Sequence, residues 1–284
     1  MSETELDEEK YRQQIVEKVN NSGVLLHYRM AGLLKRKGWE VALEQPYLDD
    51  ATGKVRKCDI IASFSIGSKP YKVILVIECK YIPSSDELIL LVDSQHEFSD
   101  PIVSVADAIQ TRGRELKQCL SGLPNHHYRV NVALLHQYMR LSNEQKQKNE
   151  DSFYEAVCQT VKPLLQYKQA GGSYEVFYPM VIVGGKKPYI CSADALGKSG
   201  GAQVADLAIR DAIPYQLSYV VDKDEPELLL VDVVHESKLE EFLDHVLKSE
   251  IDALKKQAQE ENNAKVFKEM ESKPQRRNLS QSFR

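Results

Sequence analysis

VRKCDIIASFSI (Val55 to Ile66) and YKVILVIECKYI (Tyr71 to Ile82), joined by Gly67-Ser68-Lys69-Pro70, are the stretch on which the fold turns. Both runs are rich in β-branched and aromatic residues, and the join is built of turn formers, so they read as two neighbouring strands. The second is apolar at almost consecutive positions, which predicts a central strand covered on both faces. Against that background stand Glu78-Cys79-Lys80 and, on the adjoining strand, Asp59. Residues i and i+2 of a strand share a face, so Glu78 and Lys80 project together, and the adjacent strand can bring Asp59 beside them. Charged groups on such a strand cost desolvation that fold stability alone does not explain. Two carboxylates suit a hard divalent cation, Mg²⁺ or Mn²⁺, with the Cys79 carbonyl facing the same ion. A lysine in that cluster would position or deprotonate a water and steady charge developing on a phosphate, which is the chemistry of phosphodiester hydrolysis. A lone Glu-x-Lys is also common by chance, the plain alternative being a charged pair that reaches solvent from a strand end.

Outward from this pair, Glu5 to Val19 reads as a charged amphipathic helix. Leu26, Met30, Leu33 and Leu34 mark a second helix, which Gly38 ends. Trp39, Val41 and Leu43 alternate with polar neighbours as a first strand. Glu87 to Asp93 reads as an edge strand or a lead into the next helix. Asp100-Pro101 starts that helix, with Ile102, Val105, Ile109, Leu116 and Leu120 as its buried stripe and Gln110 on the flank. Further on, Val130 to Leu135 is strand-like, and Asn143 to Lys168 is a long helix bent near Pro163. YEVFYPMVIVGGKKPYICSA gives two strands meeting in a hairpin turn at Gly184-Gly185, and QLSYVVD with ELLLVDVV gives a further pair. Ser237 caps a final helix through Leu254. His126-His127 reads as loop surface.

Composition narrows the class. The chain has 284 residues, 42% hydrophobic and 28% charged, so collagen-like and wholly disordered classes are excluded. Lys plus Arg number 37 against 42 Asp plus Glu, a net charge of −5, which gives no general attraction to phosphate. The five cysteines, Cys58, Cys79, Cys119, Cys158 and Cys191, lack CxxC spacing. That excludes a zinc ribbon, argues against a disulfide framework and points to a cytoplasmic setting. No apolar run approaches the ~18 residues of a membrane span, and the first ten residues are acidic rather than signal-like, so no membrane association is expected. HExxH and GxGxxG do not occur, and Gly184-Gly185-Lys186-Lys187 lacks the phosphate-loop pattern.

Gly53-Lys54-Val55-Arg56-Lys57-Cys58-Asp59-Ile60-Ile61-Ala62, preceded by GWEVALEQPY and followed by VIECKY, resembles the core of the PD-(D/E)xK nuclease superfamily over roughly residues 22 to 120. The resemblance implies an α/β fold of restriction-endonuclease type: a mixed central sheet flanked by helices, with a C-terminal α/β extension. It implies Asp59 and Glu78 as metal ligands, Lys80 as the catalytic lysine and Gln110 as a supporting residue. Cys58 stands where the family's proline would precede the aspartate. The acid that the family often carries on the preceding helix is replaced by His27, with Glu17 and Glu44 as other candidates to complete the site. Arg112 and Arg114 are candidates for phosphate contact. The expected organisation is an N-terminal helix over 1–21, a nuclease-like core over 22–140, the extension over 141–255 and a basic flexible tail over 256–284. The expected activity is Mg²⁺-dependent endonucleolytic cleavage of DNA, in restriction or antiphage defence, with RNA left open. A homodimer would cut both strands. The alternative is a non-catalytic DNA-binding or assembly module that keeps the fold.

Overall fold

The computed structural model describes residues 3–20, 23–49, 52–67, 71–93, 109–112, 114–124, 126–130, 134–142, 152–170, 174–192, 207–209, 212–220 and 226–272. Helix α1 (Glu3–Asn20) and α2 (Gly23–Arg36) precede β1 (Glu40–Asp49), β2 (Lys54–Ile66), β3 (Tyr71–Ile82) and β4 (Asp86–Asp93). Then come β5 (Gln110–Arg112), α3 (Arg114–Ser121), α4 (His127–Val130), β6 (Leu134–Ser142) and α5 (Ser152–Ala170). Strands β7 (Glu175–Gly185), β8 (Tyr189–Ser192), β9 (Leu207–Ile209), β10 (Ala212–Val220) and β11 (Pro226–His235) follow. A 3₁₀ turn (Glu236–Lys238), a short α turn (Leu239–Glu241) and a π segment (Phe242–Leu247) lead into α6 (Lys248–Ser272).

The strands form one mixed sheet in the order β1-β2-β3-β7-β11-β10-β6-β4-β8-β9, with β5 beside the first residues of β7. Strands β3, β7 and β11 run parallel at its centre, and β2 and β10 flank them antiparallel. The protein is thus α/β, with a mixed sheet. The sheet does not divide near residue 140, however. Its second half supplies the strands paired to β3, because a strand as apolar as VILVI needs a partner on its other edge and cover on both faces. The second half of the chain thus extends the same sheet.

Alternation on the central strands sets two faces. Val73, Leu75 and Ile77 of β3, Tyr178, Met180 and Ile182 of β7, and Leu230 and Val234 of β11 pack under α2, α3, the π segment and α6. Ile74, Val76, Phe177, Val181, Val183, Leu229, Val231 and Val233 point to the opposite face, where α5 lies with Val157, Val161 and Leu164. Only residues 83–85 separate β3 from β4, yet β7, β11, β10 and β6 lie between them in the sheet. Five inter-strand steps of ~4.8 Å make about 24 Å, while the chain from Ile82 to Asp86 reaches roughly 14 Å. The sheet must therefore curl around α5, whose Phe153, Ala156 and Val157 pack with β4 and β6 residues Leu88, Leu90, Val92 and Leu135.

Several expectations change in detail. Gly184-Gly185 does end β7, but β8 pairs with β4 rather than folding back on β7, so the turn is not a hairpin. β4 is an inner strand, held by β6 and β8. Gln110 lies in β5 and not on a helix, and among the described residues the next helix begins at Arg114; the Asp100-Pro101 helix start lies outside the described residues. The final helix runs to Ser272, beyond both Leu254 and the start of the expected tail. The 3₁₀ turn at Glu236–Lys238, upstream of it, is capped by His235, whose Nδ1 accepts from the Ser237 N–H.

Gly185 shows how tightly β7 meets β3. It has φ +82, and a Cβ there would collide with the Ile82 carbonyl and the Tyr81 ring, whereas Gly67, at φ +66, faces open space. Gly185→Ala is expected to lower the melting temperature by several degrees, from left-handed strain of ~1–2 kcal/mol plus the clash. Gly67→Ala bears the strain alone, so equal melting of the two variants would refute this account.

Candidate functional site

The site forms where β2 leaves β3. Their ladder ends at the Ile60–Ile77 pair, and the next residues, Asp59 and Glu78, carry the charges. Beyond that point the Asp59 side chain replaces the missing backbone: its Oδ2 accepts the Cys79 N–H at 2.9 Å. In an extended strand a residue's N–H and C=O lie along one edge, so the Cys79 carbonyl opens to the same notch. Glu78 Oε2 in turn accepts the Asp59 N–H at 3.4 Å. The sequence expectation that Asp59 and Glu78 meet across the two strands is met in these contacts.

Glu78 is only 9% exposed, although it is ionisable. Burial, with the Asp59 charge added, pushes its carboxyl up to about 9. Asp59 is also raised by burial, against the Cys79 N–H and the His27 imidazole, which lower it. Lys80, on the same side of β3 as Glu78, is lowered by burial and by the Arg140 guanidinium. Two desolvated carboxylates that repel each other, beside a lysine shifted toward its neutral form, are expensive to fold and suited to hold a cation. Oxygen donors from Asp59, Glu78 and the Cys79 backbone match a hard divalent ion.

Of the three candidates to complete the site, His27 places Nδ1 3.9 Å from Asp59 Oδ1 with its side chain 12% exposed. That gap is too long for a hydrogen bond. Glu44, on β1, influences Asp59 by its charge and pairs with Lys57 at 2.6 Å. Glu17 stays exposed on α1.

Gln110 is not brought to this notch. It pairs with Phe177, which pairs with Ile74, four residues before Glu78 on β3, or ~13 Å along the strand. Its Oε1 accepts from Lys168 at 2.8 Å. Arg112 is turned inward, donating to the Tyr167 carbonyl and lying 3.8 Å from Glu175, so it does not offer itself to a phosphate. The side chain of Arg114 is outside the described residues.

Sequence reasoning missed a second polar centre on the other face. His126 and His127 are buried. His127 Nδ1 lies 2.7 Å from Glu250 Oε1 and its Nε2 3.1 Å from Asp232 Oδ2. Tyr178 donates to Glu250, and Tyr128 lies 3.5 Å from Asp232. Among the described residues, His126, His127 and Glu250 bring one ligand atom each within 4.8 Å of one another, a spacing that could hold a metal. Their hydrogen bonds suit protons better. His126 Nδ1 accepts the Tyr128 N–H at 3.2 Å, which puts its proton on Nε2, 3.4 Å from Glu250 Oε2. His127 has a carboxylate at each nitrogen; burial lowers it, but Glu250 and Asp232 outweigh that and raise it to about 10, so as an imidazolium it donates to both. The only sequence signal was negative: Asp232 interrupts LLLVDVV, just as Glu78 interrupts VILVI.

No helix among the described residues is long and apolar enough to cross a membrane. No family model, no curated protein and no solved structure matches this chain.

Proposed function

We propose that the protein is a metal-dependent nuclease that hydrolyses phosphodiester bonds in DNA, with a core of restriction-endonuclease type. The observation that carries this reading is the convergence of the Asp59 and Glu78 carboxylates and the Cys79 backbone in the notch where β2 leaves β3, with Lys80 on the same side of β3 as Glu78. Asp59, Glu78 and the Cys79 carbonyl would hold Mg²⁺ or Mn²⁺, and His27 faces Asp59 from α2. Such an ion, when bound, acidifies a water and neutralises charge on phosphate oxygens. Lys80, its ammonium lowered by burial, accepts or steadies the proton of the attacking water as the water oxygen bonds to phosphorus and the P–O bond to the leaving group breaks. Lys54 and Lys57, exposed on the strand that carries Asp59, offer cations to a backbone that the net charge would otherwise repel. Cutting both strands with one such notch per chain would use a second copy.

The test is incubation of the purified protein with supercoiled plasmid and with labelled single strands, in Mg²⁺, Mn²⁺ or EDTA. Cleavage that needs the metal supports the reading. No cleavage in any condition, with no rise in melting temperature on adding Mn²⁺, leaves a non-catalytic module as the better account.

A further inference from the structure

We propose that Glu44 is a positioning residue for Asp59 and acts through its backbone rather than its carboxylate; the inference rests on the cation-binding reading above. Glu44 has φ +50, and every other positive φ among the described residues belongs to glycine. A non-glycine residue in the left-handed region is held there by its surroundings, and such residues gather at functional sites.

The register says what this one does. Leu43 pairs with Ile60 and Gln45 with Cys58, so Glu44 and Asp59 face each other, one residue per strand, between two regular pairs. On either side of them both strands change face. Val41 and Leu43 pack toward α2, but Tyr47 packs on the opposite side of the sheet. Likewise Ile60 and Ala62 face α2, while Cys58 lies opposite with Tyr47 and Val76. Strict alternation would keep 43 with 47, and 58 with 60. No residue is inserted, so this is not a bulge; both strands turn over together at Glu44 and Asp59. The turn-over coincides with the end of the β2–β3 ladder and leaves the Asp59 carboxylate at the edge of β3, bound to the Cys79 N–H. A left-handed residue in β1 is the local conformation that reverses which face the following residues take. The carboxylate of Glu44 is spent on Lys57, an exposed ion pair of little consequence.

The test measures Mn²⁺ affinity by calorimetric titration, with the melting temperature beside it, in the full-length chain as wild type, Glu44→Gly, Glu44→Asn, Glu44→Gln and Glu44→Val, with Asp59→Ala as reference. Glycine and asparagine accept positive φ, so both variants are expected to bind Mn²⁺ within about twofold of wild type. Glu44→Gln keeps the shape without the charge and should do the same. A β-branched residue resists that conformation, so Glu44→Val should bind at least about tenfold more weakly, approaching Asp59→Ala. If the valine variant does not fold, Glu44→Ala takes its place with the same expectation in weaker form. Equal losses in the glycine, glutamine and valine variants would assign the role to the carboxylate and overturn the inference, as would wild-type affinity in Glu44→Val. Absence of Mn²⁺ binding by the wild type would instead overturn the cation reading and this inference with it.

Discussion

Lys80→Ala is expected to cut metal-dependent cleavage by roughly 10³-fold while leaving the melting temperature within a few degrees of wild type, because a proton-handling group contributes about 10²–10⁴ in rate and this one is only partly buried. Asp59→Asn and Glu78→Gln should abolish cleavage as fully, but with the opposite effect on stability. Asp59→Asn removes a desolvated charge while its amide oxygen can still accept the Cys79 N–H, and Glu78→Gln replaces a buried carboxyl that already keeps its proton when no metal is bound. In EDTA both variants should therefore melt at or above the wild-type temperature. The pH behaviour follows from Glu78. In the metal-free protein this group keeps its proton up to about 9. A cation must displace it, so Mn²⁺ affinity should rise about tenfold per pH unit toward that value and then level off. In Glu78→Gln whatever affinity remains should lose that slope. Cleavage that survives Asp59→Asn, or an affinity independent of pH between 6 and 9, would contradict the assignment.

His127→Ala should be the most destabilising single substitution of those considered. The imidazolium stands between Glu250 and Asp232, both buried, and ties α4 to β11 and α6. Removing it leaves two carboxylates uncompensated in the core, at a cost of about 3–5 kcal/mol. For a chain of this size that is on the order of 10 °C in melting temperature. The pH dependence has a definite sign. His127 sits at about 10 in the folded protein against 6.5 for an ordinary imidazole, so its stabilisation is complete below 6.5 and drains away as pH rises through 10. Glu250, held at about 2, contributes above 4.5 and is lost only as pH falls through 2. The wild type should thus lose melting temperature between pH 7 and 10, and a His127→Gln, Asp232→Asn, Glu250→Gln triple variant should lose much less over that range. A flat wild-type profile would mean that His127 is not protonated. A rise on adding Zn²⁺ that disappears in His126→Ala would mean that the cluster takes a metal after all.

Asp59 and Glu78 were legible because each violates its surroundings: an acid on a strand otherwise made of VILVI or DIIAS has to be explained chemically, and the two-residue period places it. His27 was harder. On a helix it has no period that separates a surface imidazole from one facing Asp59, and only the packing of α2 on β3 brings it to 3.9 Å. The placement of Gln110 on a helix failed because β-pairing with Phe177 overrode a stripe that included Ile109, Leu116 and Leu120. His126-His127 read as loop surface because the partners that bury them, Asp232 and Glu250, lie more than a hundred residues away.

By itself the sequence determined the local facts: most strands and helices, the central place of β3, the β10–β11 pair, and the two acids and a lysine of the proposed site. These follow from periods of two and 3.6 and from the cost of placing charge among apolar neighbours, which act within a few residues. Only the tertiary structure decided that β7 and β11 fill the centre of the sheet, that the sheet curls around α5, and that β1 and β2 change face at Glu44. Those outcomes depend on which distant strand satisfies an open edge and which helix covers an apolar face. Many pairings are locally equivalent, and the one that buries the most surface without stranding a charge is set by the whole chain at once.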